Sequence, residues 1–102
     1  MKLPRVSRKE FIILELLIRH GEMFGLQLVQ HAPDEFTRST IYITLQRMTE
    51  KGFLTSRVVE DRNGGPARRL YHATGLGYRM YSAIRQEIGA GAGARARVTA
   101  GE

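Results

Sequence analysis

Between residues 38 and 47 the run RSTIYITLQR sets short hydroxyl, amide and guanidinium side chains along one side of a predicted helix. Ile41, Leu45 and Met48 recur at i, i+4 and i+7, the spacing of an inner apolar stripe. Ser39, Thr40, Ile43, Gln46 and Arg47 then face away from it, and Arg38 and Tyr42 sit with Ser39 and Thr40 in the first turns. Groups of this kind suit a nucleic-acid surface. Glutamine pairs with adenine, arginine with guanine or a phosphate, and an exposed isoleucine meets a thymine methyl. The first turn adds free N–H groups and the positive end of the helix dipole, which favour a phosphate. The same pattern also describes an ordinary amphipathic helix with a solvated outer face.

A second cluster surrounds the turn-forming segment DRNGGP at 61–66, where Arg57, Arg62, Asn63, Arg68 and Arg69 stand close in sequence. Arginines on a hairpin tip grip phosphates or enter a narrow minor groove. Glu60 and Asp61 partly offset them, and a blander arrangement pairs Arg68 or Arg69 with those acids across the strands. One of the two adjacent arginines is expected to point inward or to a partner, because neighbours on a strand face opposite sides.

Other chemistries find little support. His20, His31 and His72 match no metal-ligand spacing, so structural or capping roles are expected and no metal. The chain has no cysteine, which excludes disulfide scaffolds, Cys-ligated zinc fingers, iron–sulfur centres and thiol enzymes. No Ser/His/Asp arrangement, paired acids, P-loop or dinucleotide fingerprint is visible, so neither an enzyme nor a cofactor is expected.

These clusters must be positioned by a small protein. The chain has 102 residues, enough for one domain, with 42% hydrophobic and 25% charged residues, the composition of a soluble globular protein. Residues 11–18 form the longest near-apolar stretch, far short of the ~20 residues that span a bilayer, so no membrane partner and a cytoplasmic location are expected. Its net charge of +6 is uneven. Residues 1–37 carry five basic and five acidic side chains, whereas residues 38–88 carry nine basic and four acidic, a net of +5. Clustered basic charge is the electrostatic footprint of a nucleic-acid binder.

Ser7 and Glu10 form an S-x-x-E capping box, which predicts a helix from Arg8 to a stop at Gly21. Seven of the eight residues at 11–18 are apolar and point all round, so a second chain is expected to cover part of this helix. Residues 24–31 read as a two-turn helix stopped by Pro33, and 34–37 as a turn. The third helix spans 38–51, capped by Thr37 or Ser39 and stopped by Gly52. Residues 53–60 and 67–73 are β-rich and flank Asn-Gly and Gly-Gly, a hairpin signal. Thr74 caps a fourth helix over 75–88 with the stripe Leu76, Met80, Ile84 and Ile88, and the Gly/Ala/Arg segment 89–102 reads as a disordered end. The expectation is a mainly α protein with a small β-hairpin, a winged helix-turn-helix: a DNA-binding domain at 1–74, a dimerisation helix at 75–88 and a tail.

The motifs also carry a family resemblance. Glu10 with FIILELL, the turn FGLQL, the segment STIYITLQRMTEKGFL and the strand ARRLYHATGLG occur in the order found in the PadR family of bacterial transcriptional regulators, which the chain resembles over roughly residues 8–85. The resemblance implies a winged-helix homodimer of the compact, short C-terminal subfamily, working at the bacterial nucleoid and repressing transcription at an inverted repeat of double-stranded DNA. It assigns Tyr42 to a phosphate, Ser39 and Thr40 to the small polar positions before it, and basic roles to Arg47, Arg62 and Arg68. It implies a dimer in which the last helix packs on the partner's first, through Phe11, Leu14, Ile18, Met80, Tyr81, Ile84 and Ile88. Ile43 stands where the family often has proline. Tryptophan, used by some members to hold flat ligands at the dimer centre, is absent.

Two other readings compete. A winged helix also serves as a protein-interaction or accessory module without specific DNA sites, although the +4 carried by residues 38–69 is not needed for that role. A binder of a small hydrophobic effector would instead show a pocket lined by Phe11, Leu14 and Tyr81.

Overall fold

A computed structural model describes residues 5–100, with side chains described for residues 5–87. The elements are α1 (Arg8–His20), β1 (Met23–Phe24), α2 (Gly25–His31), α3 (Arg38–Glu50), β2 (Leu54–Val59), β3 (Arg68–Ala73) and α4 (Gly75–Ala100). This is a winged helix, mainly α with a small sheet.

The capping box at the head of α1 forms as expected: the Glu10 N–H donates to Ser7 Oγ at 3.2 Å and the Ser7 N–H donates to Glu10 Oε1 at 2.8 Å. Glu10 is itself buried, and its second role explains why. Lys51 Nζ, at the end of α3, donates to both Glu10 carboxylate oxygens at 3.0 and 2.9 Å and to the Arg5 carbonyl at 3.0 Å. A buried carboxylate needs such a partner, and this one ties the start of α1 to the C-terminus of α3. There the ammonium also complements the helix dipole.

The core is built by Ile13, Leu14 and Leu17 of α1, Leu28 of α2, Ile41, Leu45 and Met48 of α3, and Phe36, Phe53, Leu54 and Tyr71 from the connecting segments and sheet. Gly77 lets α4 approach closely, since a Cβ there would run into the Phe53 carbonyl and meet Leu14 Cδ2 at 3.1 Å. Thr74 fixes this junction: its hydroxyl donates to the Gly52 carbonyl and accepts from the Gly77 N–H.

Several features depart from the sequence reading. The wing is part of a three-stranded antiparallel sheet of order β1-β3-β2, because Met23, read as part of a break, and Phe24, read as the first residue of the second helix, pair with Tyr71 and Leu70. Two residues are too few to show a strand period. Residues 60–67 form an open tip longer than a two-residue turn. In it the Asn63 N–H donates to Asp61 Oδ1, the Gly64 N–H donates to the Asp61 carbonyl, and Gly64 takes φ +85°. Helical backbone in α4 is described from Gly75 to Ala100, past the boundary at Ile88 read from the sequence. Alanine and arginine rank high in helix propensity, which offsets the glycines there.

The expected dimer surface also divides. Leu14 is fully buried and Tyr81 is 7% exposed, both within the chain's own core. The Tyr81 ring stacks on Phe11 with centroids 5.0 Å apart. Phe11, Ile18, Met80 and Ile84 remain half-buried, and the side chain of Ile88 lies outside the described residues. None of the helices in the described residues is long and apolar enough to cross a membrane.

Candidate nucleic-acid interface

The outer face of α3 is assembled by its inner one. Ile41, Leu45 and Met48 are each 0% exposed, which fixes the helix about its axis. Arg38, Ser39, Thr40, Gln46 and Arg47 are exposed in consequence, with Tyr42 and Ile43 among the most exposed large apolar side chains. Thr37, not Ser39, caps the helix, and the cap is reciprocal: the Thr40 N–H donates to Thr37 Oγ1 at 3.2 Å, and the Thr37 N–H donates to Thr40 Oγ1 at 3.0 Å. The Thr40 hydroxyl is thereby committed to the helix start, while Ser39 keeps only a contact to Thr37 Oγ1. Gln46 reaches Glu50 at 3.4 Å, a long contact that is easily exchanged. Among the described residues Arg38, Arg47 and Arg62 make no salt bridge.

Tyr42 is held by a residue that motif reading gave no role. A Cβ on Gly25 would lie 2.7 Å from Tyr42 Cε1 and 3.1 Å from its hydroxyl, so the phenol lies against the bare backbone at the start of α2. Glycine is required here for close approach, not for its backbone angles.

The arginines of the wing strands, unlike Arg62 at the tip, are engaged rather than free. Arg57 Nη2 pairs with Glu22 at 3.2 Å, and the same carboxylate approaches His72 Nδ1 at 3.4 Å. The Arg68 guanidinium lies 4.1 Å from the centre of the Phe24 ring. Arg69 Nη1 donates to Ser56 Oγ at 3.2 Å. The blander pairing of Arg68 or Arg69 with Glu60 or Asp61 is not found among the described residues, and Asp61 closes the turn instead. Sequence reading did place Arg62 and Asn63 on the exposed tip.

Between α3, the start of α2 and the sheet runs a cleft of about 600 Å³, whose lining includes Phe24, Tyr42, Gln46, Arg68, Arg69 and Tyr71. Burial pushes the Tyr71 phenol above its usual 10.0; Arg69 partly offsets this and Tyr42 adds to it. Tyr71 is therefore a neutral donor at physiological pH. The histidines do not converge: His20 stacks on His31 at 4.7 Å, His72 lies with Glu22, and no group of three metal-ligating side chains exists among the described residues.

Comparison with known proteins agrees with this architecture. The profile of the Transcriptional regulator PadR-like family matches residues 13–83. A PadR-like transcription factor from Bacteroides fragilis superposes with a TM-score of 0.76 at 22% identity, covering 89% of this chain and 92% of its own. A PadR family regulator from Clostridium difficile gives 0.69 at 23% identity over 79% and 86%. Bacillus subtilis PadR in complex with operator DNA gives 0.66 at 25% identity, covering 72% of this chain but 44% of its own. No curated protein matches by sequence. The extent of the profile match, across both helical and wing segments, establishes that this chain belongs to the PadR-like family of transcriptional regulators.

Proposed function

We propose that this regulator is a homodimer that binds double-stranded DNA sequence-specifically and represses transcription at an inverted repeat. The observation that carries the reading is the two-sidedness of α3. Three fully buried side chains lock the helix, and Arg38, Tyr42, Ile43, Gln46 and Arg47 stand on its free side. A helix so fixed enters a major groove as a rigid unit, with Gln46 and Arg47 at base edges and Arg38 and Tyr42 at phosphates. Arg62 and Asn63 extend the surface to the flanking backbone. The operator complex of Bacillus subtilis PadR supports this use of the fold.

What the fold leaves half-covered supports dimerisation. Phe11 and Ile18 of α1 and Met80 and Ile84 of α4 are half-buried, and Tyr78 beside them is 56% exposed. A second copy placing its α4 on this α1 buries that surface and sets two α3 helices about one turn of DNA apart. Such a regulator works in the cytoplasm at the nucleoid.

The test is selection of binding sites from a random duplex library at near-physiological salt, with protein of measured oligomeric state. Enrichment of an inverted repeat with half-sites one helical turn apart is expected. Binding without enrichment would reduce the protein to a charge-driven accessory factor, and no binding would favour a protein-interaction role.

A further inference from the structure

Strand pairing sorts the wing arginines onto two faces. In the register Ser56↔Tyr71, Arg57↔Leu70 and Val58↔Arg69, side chains alternate, so Leu54, Ser56, Val58, Arg69 and Tyr71 share one face. Buried Leu54 and Tyr71 at its base identify this face as the one turned toward the core and α3. Further along it Ser56 is half-buried, and Val58 and Arg69 are exposed toward the tip. Arg57, His72 and Arg68 alternate onto the opposite face, where Glu22 holds Arg57 and His72, while the Arg68 side chain lies against Phe24 at the edge of the cleft.

We propose that Arg69, oriented by Ser56, is the wing's groove-side arginine and seats a backbone phosphate of the bound duplex in the cleft beside α3. The inference rests on the DNA reading above and singles out, from the cluster of wing arginines, one to which the family resemblance assigned no role. Three features support it. Arg69 lines a cleft that Tyr42 and Gln46 of the α3 outer face also line, with Arg68 and Phe24 at its rim, so a duplex seated on α3 passes its backbone over this opening. Ser56 takes one guanidinium N–H at 3.2 Å, which aims the side chain and leaves further donors for a phosphate fork. Arg68, by contrast, has its cationic face against Phe24, and Arg57 is neutralised by Glu22.

The test compares wild type with R69A, R68A and R57A by fluorescence anisotropy, on the selected duplex and a scrambled one, across roughly 50 to 300 mM salt. R69A is expected to bind about tenfold more weakly to both duplexes. Its slope of log affinity against log salt should be shallower by about 0.9 per subunit, the signature of one lost phosphate. R68A and R57A should keep the wild-type slope. R69K, which retains charge without the fork, should recover the slope but only part of the affinity. Arg69 is exposed, so R69A should melt within ~2 °C of wild type, and circular dichroism checks this. An unchanged slope in R69A, or a loss in R68A or R57A instead, overturns the assignment. Loss confined to the selected duplex also overturns it, since that marks a base contact. Failure of wild type to bind either duplex sinks the DNA reading itself, a separate and distinguishable result.

Discussion

Helix α3 and the β2–β3 wing carry similar chemistry but hold it in opposite ways. On α3 the guanidinium groups of Arg38 and Arg47 make no salt bridge among the described residues, and rigidity comes from the apolar stripe beneath. On the wing strands each arginine has a partner: Glu22 for Arg57, Phe24 for Arg68 and Ser56 for Arg69. A helix with a packed inner face can leave its outer side chains to be ordered by a ligand. A two-stranded projection has little core of its own, so polar and cation–π contacts must set its side chains. The difference teaches that charge near a turn is weak evidence for a contact until the strand face is known.

The sharpest test of this contrast is stability. Leu45→Ala, beneath the outer face of α3, is expected to cost about 3 kcal/mol in urea unfolding. Val58→Ala on the wing, where the side chain is 54% exposed, should stay within ~0.5 kcal/mol. Equal losses would mean that the wing shares the core.

Gly77→Ala is next, with a cost of roughly 1–3 kcal/mol from collision with the Phe53 carbonyl. Gly64→Ala in the wing tip meets no neighbouring atom within 4 Å, and its positive φ alone should cost about 1 kcal/mol. Thermal melts of the two variants separate packing from backbone conformation.

In binding, Arg47→Ala should lower affinity for the selected duplex by about tenfold, with little change on a scrambled one. Arg62→Ala should weaken both alike and reduce the salt slope by about 1. Gly25→Ala should weaken binding roughly threefold, comparable to one net hydrogen bond, by lifting Tyr42 from its seat with little loss of melting temperature. Full affinity in that variant would show that the Tyr42 position is immaterial.

The smallest expected effect is at alkaline pH. Burial raises the Tyr71 phenol above 10.0, so the folded state keeps this proton when the unfolded chain releases it. The stabilisation is complete below pH 10 and is lost as pH rises through the folded value. Tyr71→Phe should flatten the fall in stability above pH 10, measured by urea unfolding at several pH values.

Legibility in the sequence followed the range of the interactions involved. The capping box of Ser7 and Glu10, the α3 stripe and the stop at Gly52 depend on residues three to seven apart, and all are found where local spacing placed them. Strand β1 was not legible because two residues show no period; only pairing with Tyr71 and Leu70 makes them a strand. The Lys51–Glu10 pair spans 41 positions, and no local pattern announces it. Leu14 and Tyr81 were read as surface for a second chain because an all-round apolar helix does not say which side its own chain covers.

By itself the sequence determined the order of the helices and of the wing strands, the outer face of α3 and the basic character of its surroundings, since each follows from local period, capping or composition. Only the tertiary structure decided which wing arginine faces α3, that Tyr42 rests on Gly25, and which apolar residues are spent inside the chain. Those outcomes depend on strand register and on approaches between segments distant in sequence, and a side-chain period of two reverses every face when the register shifts by one residue.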